Sequence, residues 1–389
     1  MGNPAETDSV SDRDDLRSRY DALRTRCPVA YKDGRWVVLR HAEVVSAAED
    51  PGTFSSKVTP RRAIPNSLDG AEHAVYRAIV DRYLTHERVA REQGQCRTHA
   101  ARVIDALPRE TTVKTIATIG TPYAVRAQST WLGWPATLEG ELVRWIADNH
   151  AATRSGDRTK TREVAERFDH LVRTLLEGRR HTPTDDVTSE LMADTVDGRR
   201  LTDDEIVSIL RNWTAGDLGS LATSVGVVVH FIAAHQTIQH ELRAIAAADD
   251  QQRLSAAVAE ILRIDDPFVS NRRVTTRAVT LGGQAITEGQ QILLNWTAAN
   301  RDPLTFGDPD EYDPTGNAEA NLVFGTGPHM CPGKELTLME LSILVEELLA
   351  RTTWIDPAPD RPAVREDPPI GGWARVPVVL RGHGPTTPS

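Results

Sequence analysis

The chain has 389 residues, 40% of them hydrophobic and 26% charged, with a formal net charge of −10. That is the balance of a globular protein rather than of a fibre or a disordered tail, and its acidity excludes a general nucleic-acid footprint. No apolar run approaches the length of a membrane span and Met1 to Arg19 is polar, so neither a signal peptide nor a membrane anchor is expected.

Length alone suggests two or three domains. Cys27, Cys96 and Cys331 lie far apart without CxxC spacing, which fits a reducing compartment and no disulfide framework or structural zinc. Residues 1–14 read as a flexible polar tail. Arg35-Trp36-Val37-Val38-Leu39-Arg40 reads as a strand, preceded by Cys27-Pro28-Val29-Ala30-Tyr31 and a turn at Lys32-Asp33-Gly34. A short helix follows from His41 to Glu49 and stops at Asp50-Pro51-Gly52. Thr59 to Gly70 has no clear period and carries Pro60, Pro65 and Gly70, the signature of a loop. Ala71 to Thr85 reads as a helix with His73 and Arg77 on one face; on that pair alone, a solvated surface is the plainer reading. Residues 87–107 and 121–182 are mostly helical, broken near Pro108, Pro122 and Pro135, and Trp131, Trp134 and Trp145 read as packing residues.

A long helix is expected from Asp203 to about Ala234, opened by the capping box Thr202-x-x-Glu205. It contains Trp213-Thr214-Ala215-Gly216-Asp217-Leu218-Gly219-Ser220, whose glycines should deform so long a helix locally or let another helix pack close. Glu260-Ile261-Leu262-Arg263 falls in a helix from about Ser255 to Ile264, with Glu260 and Arg263 spaced to pair. Strands are expected at Val274–Thr280 and Gln291–Asn295 around a Gly282-Gly283 turn, and at Ala374–Leu380 after the turn Ile370-Gly371-Gly372-Trp373.

Ahead of a helix from Lys334 to about Leu349 stands Phe324-Gly325-Thr326-Gly327-Pro328-His329-Met330-Cys331-Pro332-Gly333. Pro332 suits a first helical position. A sulfur there faces unpaired backbone N–H groups and the positive end of the helix dipole, and both favour thiolate. A thiolate in a loop whose glycines admit a flat ligand is what a heme-thiolate site needs; a buried cysteine beside a turn is the bland alternative.

This stretch closely resembles the cysteine-ligand loop of the cytochrome P450 superfamily, in its soluble bacterial form, and the likeness runs over about residues 27–381 with motifs in the same order. The resemblance implies a mainly α fold with a minor β-region, a single triangular-prism-like catalytic domain over residues 15–389 in place of several domains. It implies heme b (iron protoporphyrin IX) with an axial thiolate from Cys331, Phe324 in the same loop, and propionates taken by His73, Arg77, Arg273 and His329. Arg272 is the nearest competitor of Arg273. Glu260 and Arg263 become a buried pair bracing the heme loop. By the same resemblance Ile64, Asn66, Leu68, Trp213, Phe268, Val269, Ser270, Gly372 and Trp373 are substrate-pocket candidates, beneath helices near 138–175.

Two departures stand out. Ala215-Gly216 matches the family's Ala/Gly-Gly pair in the helix over the oxygen-binding face, but Leu218 replaces the usual acid and Gly219 the usual threonine. Asp217 is one residue early and Ser220 one late, about 100° away around a helix. Gly216, Asp217 and Ser220 remain the catalytic candidates: one of the polar pair acts through water, the substrate helps, or the chemistry omits the usual relay. The arginine usually found after Asp313-Pro314-Thr315 is replaced by Gly316-Asn317, so the Glu260–Arg263 triad is incomplete or closed by another residue. The function implied is a cytoplasmic heme-thiolate monooxygenase. It would take electrons from a ferredoxin and ferredoxin reductase to oxidise a small natural product of secondary metabolism, without nucleic-acid or membrane partners. Oxidative C–C or C–N coupling of aromatic units, such as tryptophan-containing cyclic dipeptides, is the alternative outcome. A non-catalytic heme-binding protein is the second alternative.

Overall fold

Hydrophobic periodicity gathers most of the chain into helices around a shared apolar interior. The computed structural model describes residues 16–366 and 370–382, without the side chains of 16 and 215–217; the tail expected over 1–14 lies outside the described residues. The longer helices are, in order, Leu16–Arg26, His41–Glu49, Gly70–Asp81, His86–Asp105, Thr121–Leu132, Glu139–Ser155, Arg158–His181, Asp203–Ala234, Gln236–Ala247, Gln251–Ile264 and Lys334–Ala350. Five strands form the largest sheet, in the order Val29–Lys32, Arg35–Val38, Gln291–Asn295, Ser270–Thr275 and Phe54–Ser55. The first hairpin turns at Asp33 and Gly34, both with positive φ, and Arg35–Val38 then pairs in parallel with Gln291–Asn295. That parallel pairing ties the start of the described chain to the segment that leads toward Cys331.

The 32-residue helix Asp203–Ala234 is the axis of the molecule. Its Val225, Val227, Val228, Val229 and Ile232 are all buried, so it is apolar on every side, as an interior helix must be. Among the described residues it alone is long and apolar enough to cross a membrane, and most of it lies inside the protein. The expected capping box is present: the Thr202 hydroxyl accepts from the Glu205 N–H at 3.3 Å, and the Glu205 carboxylate accepts from the Thr202 N–H at 2.7 Å. The helix runs without a break through its glycines. Close packing explains one neighbour: a β-carbon on Gly120, just before Thr121–Leu132, would lie 2.6 Å from the Ala222 carbonyl oxygen.

Other elements differ from their sequence-based bounds for local reasons. The helix bearing His73 ends at Asp81 rather than Thr85, because Tyr83 and Leu84 N–H groups turn back to Val80 and Asp81 carbonyls. The helix bearing Glu260 starts at Gln251, where the Asp250 carboxylate caps the Arg253 N–H at 3.0 Å. Pro122 opens the helix Thr121–Leu132 instead of breaking one. The expected strand at Val274–Thr280 is shifted to Ser270–Thr275, and Ala374–Leu380 divides into Trp373–Arg375 and Pro377–Arg381. Glu139–Ser155 and Arg158–His181 are joined by only Gly156, at φ +64°, and Asp157, whose carboxylate caps the second helix through Thr159 and Lys160.

Glu260 and Arg263 are fully buried and paired by two contacts of 2.8 Å. Arg263 also donates to the carbonyls of Asn300, Pro309 and Glu311 at 2.9–3.1 Å. The third place is closed: Asn317 donates its amide to Glu260 at 2.7 Å, beside the Asp313 N–H at 3.1 Å. A short amide reaches the carboxylate that an arginine would reach as an ion. Glu260→Ala is expected to cost about 3–5 kcal/mol, because it leaves Arg263 charged and uncompensated. Chemical denaturation checks this, and a loss below about 1 kcal/mol would mean the pair is not holding the segment.

Candidate active site

The Cys331 loop is built by its own backbone. The Cys331 N–H donates to the Phe324 carbonyl at 2.9 Å, the Gly325 N–H to Leu322 at 2.8 Å and the Met330 N–H to Gly327 at 3.0 Å. Gly325 and Gly327 both have φ near +70°, a region that favours glycine. A β-carbon on Gly327 would fall 2.7 Å from the Ala48 carbonyl oxygen, so the loop lies directly on the end of helix His41–Glu49. Cys331 is half-buried. Gly333, not Pro332, is the N-cap of Lys334–Ala350: Pro332 stands before the helix, because the turn Cys331–Gly333 intervenes. The sulfur-bearing residue still precedes the helix's N-cap, Gly333, by two positions, near the positive dipole end.

Beside this loop the structure gathers His73, His329 and Arg273. The His73 and His329 rings lie 4.2 Å apart, and Arg273 is buried whereas Arg272 is exposed. Burial, with Arg77 beside it, holds His73 below the ordinary imidazole value. Burial, together with His73 and Arg273, pushes His329 down to about 4. Arg77 donates to the carbonyls of Pro328 and Met330 at 3.0 and 2.8 Å and to Asp81 at 2.6 Å, so it fastens the loop to the helix Gly70–Asp81. Sequence reading missed Asp69. Its carboxylate accepts from Ser55 Oγ at 2.5 Å and from the Ser56 N–H, and lies 3.3 Å from His329 Nε2. Asp69 stands just before the helix Gly70–Asp81, at its N-cap and in extended conformation, where helical spacing from His73 could not single it out.

The pocket candidates divide. Ile64 and Leu68 are buried, and Ile64 is pinned to the long helix: its N–H donates to Ser208 Oγ at 2.9 Å and its carbonyl accepts from Asn212 at 2.7 Å. Trp213 is buried against Trp131 and Tyr83. Val269 and Gly372 line one small cavity with Asp266 and Thr297, and Ser270 begins the adjoining strand. Gly372 abuts the long helix, where its β-carbon would meet Thr223 and Val227 at 3.0–3.1 Å. Trp373 stacks on His230 at 3.8 Å and donates to Asp265 at 2.6 Å. Asn66 and Phe268 are exposed, apart from this group; the Phe268 N–H is held by Asp266. On the long helix, Leu218 is buried and Ser220 half-buried. The side chains of Gly216 and Asp217 lie outside the described residues. A β-carbon on Gly219 would stand 2.9 Å from His150 Nε2, a residue that nothing in the sequence singled out.

The donor set suits one particular group: a soft sulfur ahead of a helix start for a metal, and imidazoles with a buried guanidinium for carboxylates. Comparison with known proteins agrees. The cytochrome P450 family profile matches residues 141–374, and the chain belongs to that family. Among curated relatives, the chain is 27% identical to the cyclomarin C epoxidase of Salinispora arenicola, covering 90% of this chain and 91% of that one. It is 28% identical to the erythromycin C-12 hydroxylase of Saccharopolyspora erythraea, with 89% of each covered. A solved mutant of P450 EryK in complex with erythromycin B superposes with a TM-score of 0.83 at 24% identity, covering 96% of this chain and 98% of that one. The protein is therefore an oxidoreductase of the heme monooxygenase kind, from a family that uses heme b with a cysteine thiolate as axial ligand. That sets aside the reading of a non-catalytic heme-binding protein.

Asp266 adds a pH-sensitive element to the small cavity. Burial pushes its carboxyl up from 3.8 to about 8, against hydrogen bonds from the Phe268 N–H and the Asn300 amide. The folded protein therefore holds a proton there that the unfolded chain releases. This stabilisation is complete below the unfolded value and is lost as pH rises through about 8. Thermal denaturation should show the wild type losing stability relative to Asp266→Asn as pH rises from 5 to about 9; parallel curves would place Asp266 in contact with solvent.

Proposed function

We propose that this chain is a single-domain, cytoplasmic bacterial monooxygenase over residues 15–389 that oxidises a small natural product, with Cys331 as the axial ligand of heme b. The observation that carries the reading is the glycine-built Cys331 loop lying against the His73–His329–Arg273 cluster. His73, Arg77, Arg273 and His329 are assigned to the propionates, which need cationic hydrogen-bond partners when taken out of water. Bound heme supplies the activation of dioxygen, helped by electron density from the thiolate. The protein's part is to keep the site dry, to orient the substrate and to supply protons. Ile64, Leu68, Val269 and Gly372 are assigned to the walls, with Asn66, Trp213, Phe268, Ser270 and Trp373 as further contacts. Gly216 gives the close backbone approach, and Asp217 and Ser220 are assigned to holding water on the oxygen-binding side.

Two electrons would come from a ferredoxin and its reductase, since the chain carries no flavin or iron–sulfur motif of its own. The natural-product class is supported by relatives that epoxidise cyclomarin C or hydroxylate erythromycin. One observation favours a second outcome, oxidative coupling of aromatic units: Leu218 and Gly219 stand where the usual acid and threonine would be.

Cys331→Ser should abolish the thiolate-type absorbance of the reduced carbon monoxide complex, and an unchanged spectrum would move the ligand elsewhere. Product masses decide the outcome. With a surrogate ferredoxin system and a panel of aromatic metabolites and cyclic dipeptides, a product heavier by one oxygen is expected. A product equal to two substrates less two hydrogens would make coupling the reaction.

A further inference from the structure

The helix Glu139–Ser155 meets the long helix at the residue where the sequence departs from its family. His150 lies on that helix, half-buried, and its Nε2 stands 2.9 Å from where a β-carbon on Gly219 would be. Any side chain at 219 would have to push the imidazole aside. The glycine and the histidine are therefore a matched pair, one leaving the space that the other fills. One turn further along each helix, a third segment joins the two. Gly372 abuts Thr223 on the long helix, and Arg154 pairs with Glu366 at 3.2 Å. Glu366 is in turn tied to the Gly372 turn by its backbone N–H. The imidazole thus lies where the helix Glu139–Ser155, the roof helix, comes together with the long helix and the Gly371-Gly372-Trp373 turn.

We propose that His150 is the proton-relay side chain of this site, reaching from the roof helix into the place that a side chain at Gly219 would occupy. The inference deepens the heme-thiolate reading and rests on it. Burial, with Arg154 one turn away, keeps the ring below the ordinary imidazole value, so it is neutral near pH 7. A neutral imidazole carries a proton on one ring nitrogen and a lone pair on the other. It can take a proton from water at the second nitrogen as it gives up the first, so one proton enters, one leaves and the ring stays neutral. Exchange with water restores the starting tautomer. A carbon-only neighbour at 219 could do none of this, and Ser220 and Asp217 lie about 100° and about 200° around the helix from that position.

The test uses the heme-loaded full chain and carbon monoxide as probe, which needs no substrate. In His150→Phe the thiolate-type band should persist while the infrared C–O stretch shifts, because a polar neighbour of the probe is lost. Hydrogen peroxide released per electron pair from the surrogate ferredoxin system should rise about tenfold or more. His150→Gln keeps a hydrogen-bonding side chain but cannot exchange protons between two ring nitrogens. It should hold the C–O stretch near wild type and still leak peroxide, which a merely structural histidine would not do. Gly219→Ala, by displacing the ring, should reproduce the His150→Phe shift. If His150→Phe leaves both the C–O stretch and the peroxide ratio unchanged, or if His150→Gln restores wild-type coupling, the relay assignment is wrong. A wild-type protein without the thiolate-type band would instead overturn the underlying heme-thiolate reading.

Discussion

The buried Arg263 guanidinium sets the constraint from which the site follows. A charge removed from water must have every donor answered, or it destabilises the fold by several kcal/mol. Arg263 answers two donors with Glu260 and the rest with main-chain carbonyls of Asn300, Pro309 and Glu311. Phe306 lies 4.7 Å from its charged carbon. Those carbonyls belong to an irregular stretch that hydrophobic burial alone would hold poorly. The ion therefore organises loop by electrostatics, and the loop so held delivers the chain to Leu322 and on to Cys331. Asn300 serves twice, its carbonyl accepting from Arg263 and its side chain accepting from the Leu322 N–H at 2.8 Å.

The polar cluster works by a related logic from the other side. His73, His329 and Arg273 are brought together by three separate segments, and burial weakens the charged form of each. Asp69 is a carboxylate already lodged among them. Its place there demonstrates that the cluster accommodates carboxylate oxygen, and it helps to offset the cost of crowding basic groups. The glycines of the Cys331 loop complete the arrangement by letting the backbone rest on Ala48.

How much of this was legible depends on the range of the forces involved. The helices His41–Glu49 and Asp203–Ala234 could be bounded from the sequence because caps, turns and apolar period are local. Arg273 is preferred to Arg272 on the family resemblance; in the strand Ser270–Thr275 the first is buried and the second exposed, an alternation that is local to a strand. The ends that were missed, at Asp81 and Gln251, are set by single backbone or capping bonds. Asn317 closing on Glu260 and His150 facing Gly219 could not be read at all. Each joins residues far apart in the chain, and neither has a local pattern; the sequence showed only the gap, an absent arginine and an absent threonine.

The joint at Gly156 and Asp157 also settles how two helices are coupled. With two residues and a capped second helix, it leaves little slack, so a displacement of one helix is carried to the other. The Arg154–Glu366 pair near the joint and the Arg211–Asp169 pair further along fasten the two to the rest of the fold. Any shift of the pair therefore has to break contacts made by both helices together.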